Sequence, residues 1–172
     1  MVPTWDLVLL IFFAASLIYG FLMGKEKVIV TLLGAYVGLV VANQWADSAL
    51  GWLTNQSSPV IDNEWVSGNV SVFMVKVTLF IISILVIALC SGLAVHSFIG
   101  GNGVIGLVAQ LVYSLMSAAL IATSIISFLP EDSMGQLTDG SVVAAALINY
   151  YDWLLILPVI LMLVAGWWAR RD

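Results

Sequence analysis

Trp5–Met23 carries only Asp6 and Ser16 as conventionally polar side chains. As a helix rising about 1.5 Å per residue, it reaches roughly across the hydrocarbon of a bilayer, so it belongs in lipid. The charged turn Gly24-Lys25-Glu26-Lys27 follows, and then a second apolar stretch, Val28–Trp45, polar only at Thr31, Asn43 and Gln44. Lysines beside a span end are held on the cytoplasmic side, so Lys25 and Lys27 put the first turn inside and the N-terminus outside. Every later segment inherits that orientation.

Composition agrees with a chain built for lipid. Hydrophobic residues make up 62% and charged residues 9%, against roughly half and a quarter in soluble domains. The mean hydropathy is +1.12. Five Lys and Arg cannot form a basic stripe, which argues against nucleic acid as a partner. The net charge of −5 comes from acids spread over several loops, with no block of like charge. A single cysteine, Cys90, excludes an intrachain disulfide and a cysteine-rich metal site. Before Trp5 there is no basic region of the signal-peptide kind, so the first apolar segment reads as a retained span.

The loop Asp47–Asn69 holds Trp52, Trp65, Asp62 and Glu64 but no Lys or Arg, as befits a non-cytoplasmic segment with aromatic anchors. The third span, 70–99, would reach roughly 45 Å as one helix and must tilt or protrude. Gly100-Gly101-Asn102-Gly103 then breaks the helix. A fourth span, 104–129, stops at Pro130, and Glu131–Gly140 reads as a second acidic outer loop. The last segment, 142–168, is clearest from Trp153 to Trp168 and is interrupted by Pro158; Ser141–Asn149 reads either as a short interfacial helix or as its start. The expected fold is therefore an all-α, polytopic bundle of five transmembrane helices in one membrane domain, residues 1–172. Its C-terminus is cytoplasmic, where Arg170 and Arg171 join Lys25 and Lys27 in setting topology.

Gly20-x-x-x-Gly24 and Gly34-x-x-x-Gly38 each set two glycines on one helix face, where another helix can approach closely. The bland reading is packing of spans one and two; the functional reading is self-association of subunits. Two polar lines also share helix faces. Lys76, Ser83, Cys90 and Ser97 recur every seven residues, and Gln110, Ser114, Ser117 and Ser124 fall at i, i+4, i+7 and i+14. Facing each other, they would line a narrow path for a solute or ion. The alternative is that their hydroxyls bond backbone carbonyls and glue the bundle.

Lys76 is explained by snorkelling toward the outer surface, with Asp6 and Asp152 as candidate partners. His96 has no second histidine and does not share a helix face with Cys90, so a structural role outweighs metal binding or proton relay. No His-Glu-x-x-His, Gly-x-Ser-x-Gly, phosphate loop or dinucleotide fingerprint occurs, so no enzyme activity, cofactor or metal is expected. Asn55-Gln56-Ser57 and Asn69-Val70-Ser71 match the glycosylation sequon, a short pattern that matters only in a secretory compartment.

Trp5-Asp6 opening a span, Tyr19-Gly20-Phe21-Leu22-Met23-Gly24-Lys25-Glu26-Lys27 closing it, and Gly34 with Gly38 in the next resemble the start of the CvpA (colicin V production protein) family. Gly100-Gly101-Asn102-Gly103-Val104-Ile105-Gly106 resembles that family's glycine-rich approach to its last common helix. The resemblance covers residues 5–130 and departs at Asn102, where family members commonly carry a basic residue, and in the apolar segment beyond Ser141. It implies a multi-pass protein of the bacterial cytoplasmic (inner) membrane, accessory or channel-like in colicin export and envelope function. It supplies no catalytic residue. The partners expected are the lipid bilayer, further copies of the chain, and envelope or secretion proteins. Two functional readings follow: a non-enzymatic accessory or channel-like protein, or a scaffold that recruits an envelope or secretion complex and passes no solute.

Overall fold

The structure, a computed structural model, describes residues 5–54, 71–90 and 104–168. Among these the chain is entirely helical: α1 (Trp5–Met23), α2 (Lys25–Thr54), α3 (Val72–Cys90), α4 (Val104–Ser127), α5 (Glu131–Gly140), α6 (Val142–Asn149) and α7 (Tyr151–Trp168). Trp5–Met23, Glu26–Leu53, Val72–Cys90 and Gly106–Ser127 are each long and apolar enough to cross a membrane. A fifth crossing is available if α6 and α7 act together, so among the described residues this all-α membrane protein has four or five segments long and apolar enough to be spans. Ser97, His96, the Gly100–Gly103 turn, the first sequon, Asn69 and Val70 of the second, Arg170 and Arg171 lie outside the described residues.

Gly24 separates the first two helices with φ +84°, a left-handed conformation that glycine adopts without a side-chain penalty. The break is one residue wide, since the Gly24 amide still donates to Gly20 O (3.2 Å) and Val28 N donates to Gly24 O (3.4 Å). The second helix then runs for 30 residues, well past the expected end at Trp45. Exposed Asn43, Gln44 and Asp47 lie on its surface and do not stop it.

The long second helix lies at the centre. Val28, Leu32, Ala35 and Ala42 form its buried face and share a core with Phe80 of α3, Tyr113 and Leu120 of α4, and Phe128 just after α4. α1 packs on α4 more extensively than on α2, and only Gly20 of α1 is buried. Leu9 and Phe13 pack partly on a second cluster, and Leu10, Ile11, Ile18, Phe21 and Leu22 face outward, as suits a helix bathed in lipid.

A second cluster joins Ala119, Ala122 and Ile126 of α4 to Leu137 of α5 and Ala144 and Leu147 of α6. Glu131–Gly140 is thus a helix and not the expected loop. Pro130 precedes it, Glu131 and Asp132 occupy its first turn, and Leu137 anchors it. The last segment also departs from one continuous span, because α6 and α7 bend by 65° at Tyr150. Tyr150 N closes α6 on Ala146 O at 3.0 Å, while Leu154 N begins α7 on Tyr150 O at 2.9 Å. Pro158 is fully buried within α7, and Tyr36 of α2 docks that helix by donating to Leu155 O at 2.5 Å.

Candidate functional site

The polar face of α4 is the most built feature of the bundle. Ser114 and Ser16 exchange hydrogen bonds between α4 and α1: Ser114 Oγ donates to Ser16 O (2.6 Å) and Ser16 Oγ donates to Ser114 O (3.3 Å). One turn away, the Gln110 side-chain amide donates to Gly20 O and, at 3.3 Å, to Phe21 O. Backbone carbonyls of α1 are reachable because Gly20 has no side chain; a Cβ there would stand 2.5 Å from Ser114 Cβ and closer still to its Oγ. Deeper along α4, Ser117 Oγ donates to Tyr113 O at 2.9 Å and lies 3.5 Å from Val28 O of α2. Thr123 and Ser124 are fully buried and bond Ala119 O (2.6 Å) and Leu120 O (2.7 Å) within their own helix.

The second polar line does not meet the first. α2 lies between α3 and α4, and the two make no extended contact among the described residues. Ser83 is half-buried and bonds Leu79 O of its own helix at 2.7 Å, and Cys90 is exposed. Among the described residues no hydrogen bond links the two stripes. α3 is instead held close on α2: a Cβ at Gly34 would sit 3.4 Å from Ile84 Cα, and one at Gly38 would sit 3.0 Å from Phe80 O.

The glycines divide three ways. Gly34 and Gly38 seat α3 on α2, whereas Gly20 seats α4 on α1 and also stands against Val28 of α2, 3.5 Å from where its Cβ would be. Gly24 is not on a packing face; its positive φ makes the turn, and nothing lies within 4 Å of where its Cβ would be. Lys25 opens α2, and exposed Lys27 donates to Met23 Sδ at 3.4 Å beside the same turn.

Lys76 meets the Phe128 ring, 5.8 Å from its centroid, instead of Asp6 or Asp152. Asp6 is committed elsewhere. Its Oδ1 accepts from Ser141 Oγ (2.6 Å) and Val143 N (3.0 Å), so the first turn of α1 caps the start of α6. Ser141 Oγ also accepts from Ala144 N at 3.1 Å and is the N-cap of α6. Ser141→Ala removes both links, and a loss of about 1–2 kcal/mol is expected in unfolding titrations. An unchanged midpoint would show that the tie adds no stability. This tie and the Tyr36 contact were outside the sequence reading, although a tyrosine within a span signals a hydroxyl in need of an acceptor.

Among the described residues no group of three or more His, Cys, Asp or Glu side chains is arranged to hold a metal. No curated protein and no solved structure matches the chain. The sequence model of the family described as colicin V production protein matches residues 5–152, running past Pro130 through α5 and α6 to the first turn of α7. That family is not known for an enzymatic activity. With most of its length matched, from the opening of α1 through the α6 cap, the chain belongs to the colicin V production protein family.

Proposed function

We propose that the chain is a non-enzymatic accessory protein of the bacterial cytoplasmic membrane, acting in colicin production through association with export or envelope proteins, with no solute crossing a single protomer. The observation that supports this reading is the closed polar face of α4: its hydroxyls and Gln110 are bonded to carbonyls of α1, α2 or α4 itself. A wet path needs polar groups that are free to replace an ion's or solute's hydration. In this reading Lys25, Lys27, Arg170 and Arg171 hold the cytoplasmic side, and partners or further copies of the chain engage the remaining surface.

The test combines reconstituted vesicles with complementation. Vesicles holding the protein are expected to pass potassium no faster than protein-free ones. In cells lacking the native protein, Ser83→Leu is expected to support colicin V export as well as the parent does. Potassium flux that Ser83→Leu abolishes would overturn the reading in favour of a conduit.

A further inference from the structure

A groove of about 660 Å³ opens where α1 and α3 begin and α4 ends. Trp5 and Phe12 of α1, Phe73 of α3 and Ile125 of α4 are among its apolar walls, and Ser133 and Gln136 of α5 give it one polar side. Three of these four helices are long and apolar enough to cross the membrane. In a bilayer, helices of this kind would set the hollow beside lipid tails, and its volume falls in the range of ordinary ligand sites.

Lys76 supplies the second observation. It stands one turn after Phe73 on α3, and its ammonium lies over Phe128, the chain neighbour of the groove residue Leu129. The side chain is half-buried, and among the described residues its ammonium meets this ring and no carboxylate. A cation held within a span ordinarily acquires a counter-charge. The bilayer itself offers one in the phosphodiester of its lipids. Glu131 and Asp132, which precede the polar wall on α5, are exposed to solvent and leave that position open.

We propose that the groove is a phospholipid site, with one acyl chain between α1, α3 and α4 and the lipid phosphate on the Lys76 ammonium. The apolar hollow alone accepts any tail; Lys76 makes the site select for phosphate. The Ser133 hydroxyl and the Gln136 amide, on the polar side of the groove, are donors available to glycerol ester oxygens.

Native mass spectrometry of the full chain, stripped of lipid in detergent and titrated with dioleoyl phosphatidylglycerol or with dioleoylglycerol, tests this. One phosphatidylglycerol per chain is expected to bind saturably, about tenfold more tightly than dioleoylglycerol. Lys76→Gln should remove that preference and leave dioleoylglycerol binding unchanged. Ile125→Trp, which fills the groove, should weaken both lipids alike. Equal affinity for the two lipids in the parent, binding that never saturates, or a Lys76→Gln chain that keeps the preference would each overturn the site. Because Lys76→Gln alters a half-buried residue outside the core clusters, its result stands even if Ile125→Trp fails to fold.

Discussion

Gly20→Leu is expected to lower the unfolding free energy by about 3 kcal/mol or more, a larger loss than a change at Gly24, Gly34 or Gly38. The position has no spare room. A Cβ would press on Ser114 Cβ at 2.5 Å, and Ser114 is 1% exposed, so it has nowhere to retreat. Relief requires α1 to move off α4, and that movement strips the Ser16–Ser114 exchange and the Gln110 contacts together. Each interhelical hydrogen bond contributes only about 0.6 kcal/mol in a membrane. The lost packing along the seam therefore decides the size of the effect. Gly24→Ala, a few residues on, is the control. It meets open space and suffers only from φ +84°, a penalty of about 1–2 kcal/mol. Unfolding by denaturing detergent, followed through helix content, reads both. If Gly20→Leu unfolds no earlier than Gly24→Ala, the α1–α4 seam is not formed as described.

Gly38→Leu is expected to cost about 2–3 kcal/mol and to loosen α3 from α2. The clash has two parts. Phe80 Cδ2 stands 3.0 Å from the added Cβ, and so does the Phe80 carbonyl oxygen, which belongs to a helix backbone and cannot rotate away. Nor can the ring: Phe80 is fully buried and meets Phe128 edge to face at 5.7 Å and 78°. The effect should therefore appear as loss of fold at constant subunit number. Mass measurement in native-lipid nanodiscs, beside the detergent titration, distinguishes the cases. A folded Gly38→Leu chain that merely dissociates from other copies would move this glycine to a subunit interface.

Helices long and apolar enough to cross a membrane were legible because hydropathy reports the thickness of hydrocarbon, and Trp5–Met23 and Val72–Cys90 are nearly pure apolar runs. The same signal misjudged α2. Asn43, Gln44 and Asp47 end the apolar stretch without ending the helix, since an exposed polar side chain is no obstacle to helical hydrogen bonding. Glu131–Gly140 read as a loop because its charges outweighed the spacing of Met134 and Leu137, although Pro130 and the acids of the first turn marked a helix start. At the polar site, the shared face of Gln110, Ser114 and Ser117 follows from helical periodicity alone. Which helix it meets does not. Ser16 and Ser114 are 98 positions apart and Asp6 and Ser141 are 135 apart, and no local pattern records such pairings.

The distance along the chain between the two halves of the α1–α4 seam has a consequence for biogenesis. Membrane proteins enter the bilayer as their segments leave the ribosome, at about 5–20 residues per second. The first helix therefore resides in lipid for several seconds before the partner of Ser16 has been made, and longer still before Ser141 arrives to engage Asp6. During that interval it must be stable alone. Its outward surface of Leu10, Ile11, Ile18 and Leu22 suits it to wait. Ser16 can meanwhile turn to carbonyls of its own helix. Asp6, one residue from the start of α1, can remain hydrated at the interface until its partner is synthesised. The order of synthesis thus suits α1, whose partners at Ser114 and Ser141 follow later in the chain, to carry large apolar side chains on its outward face.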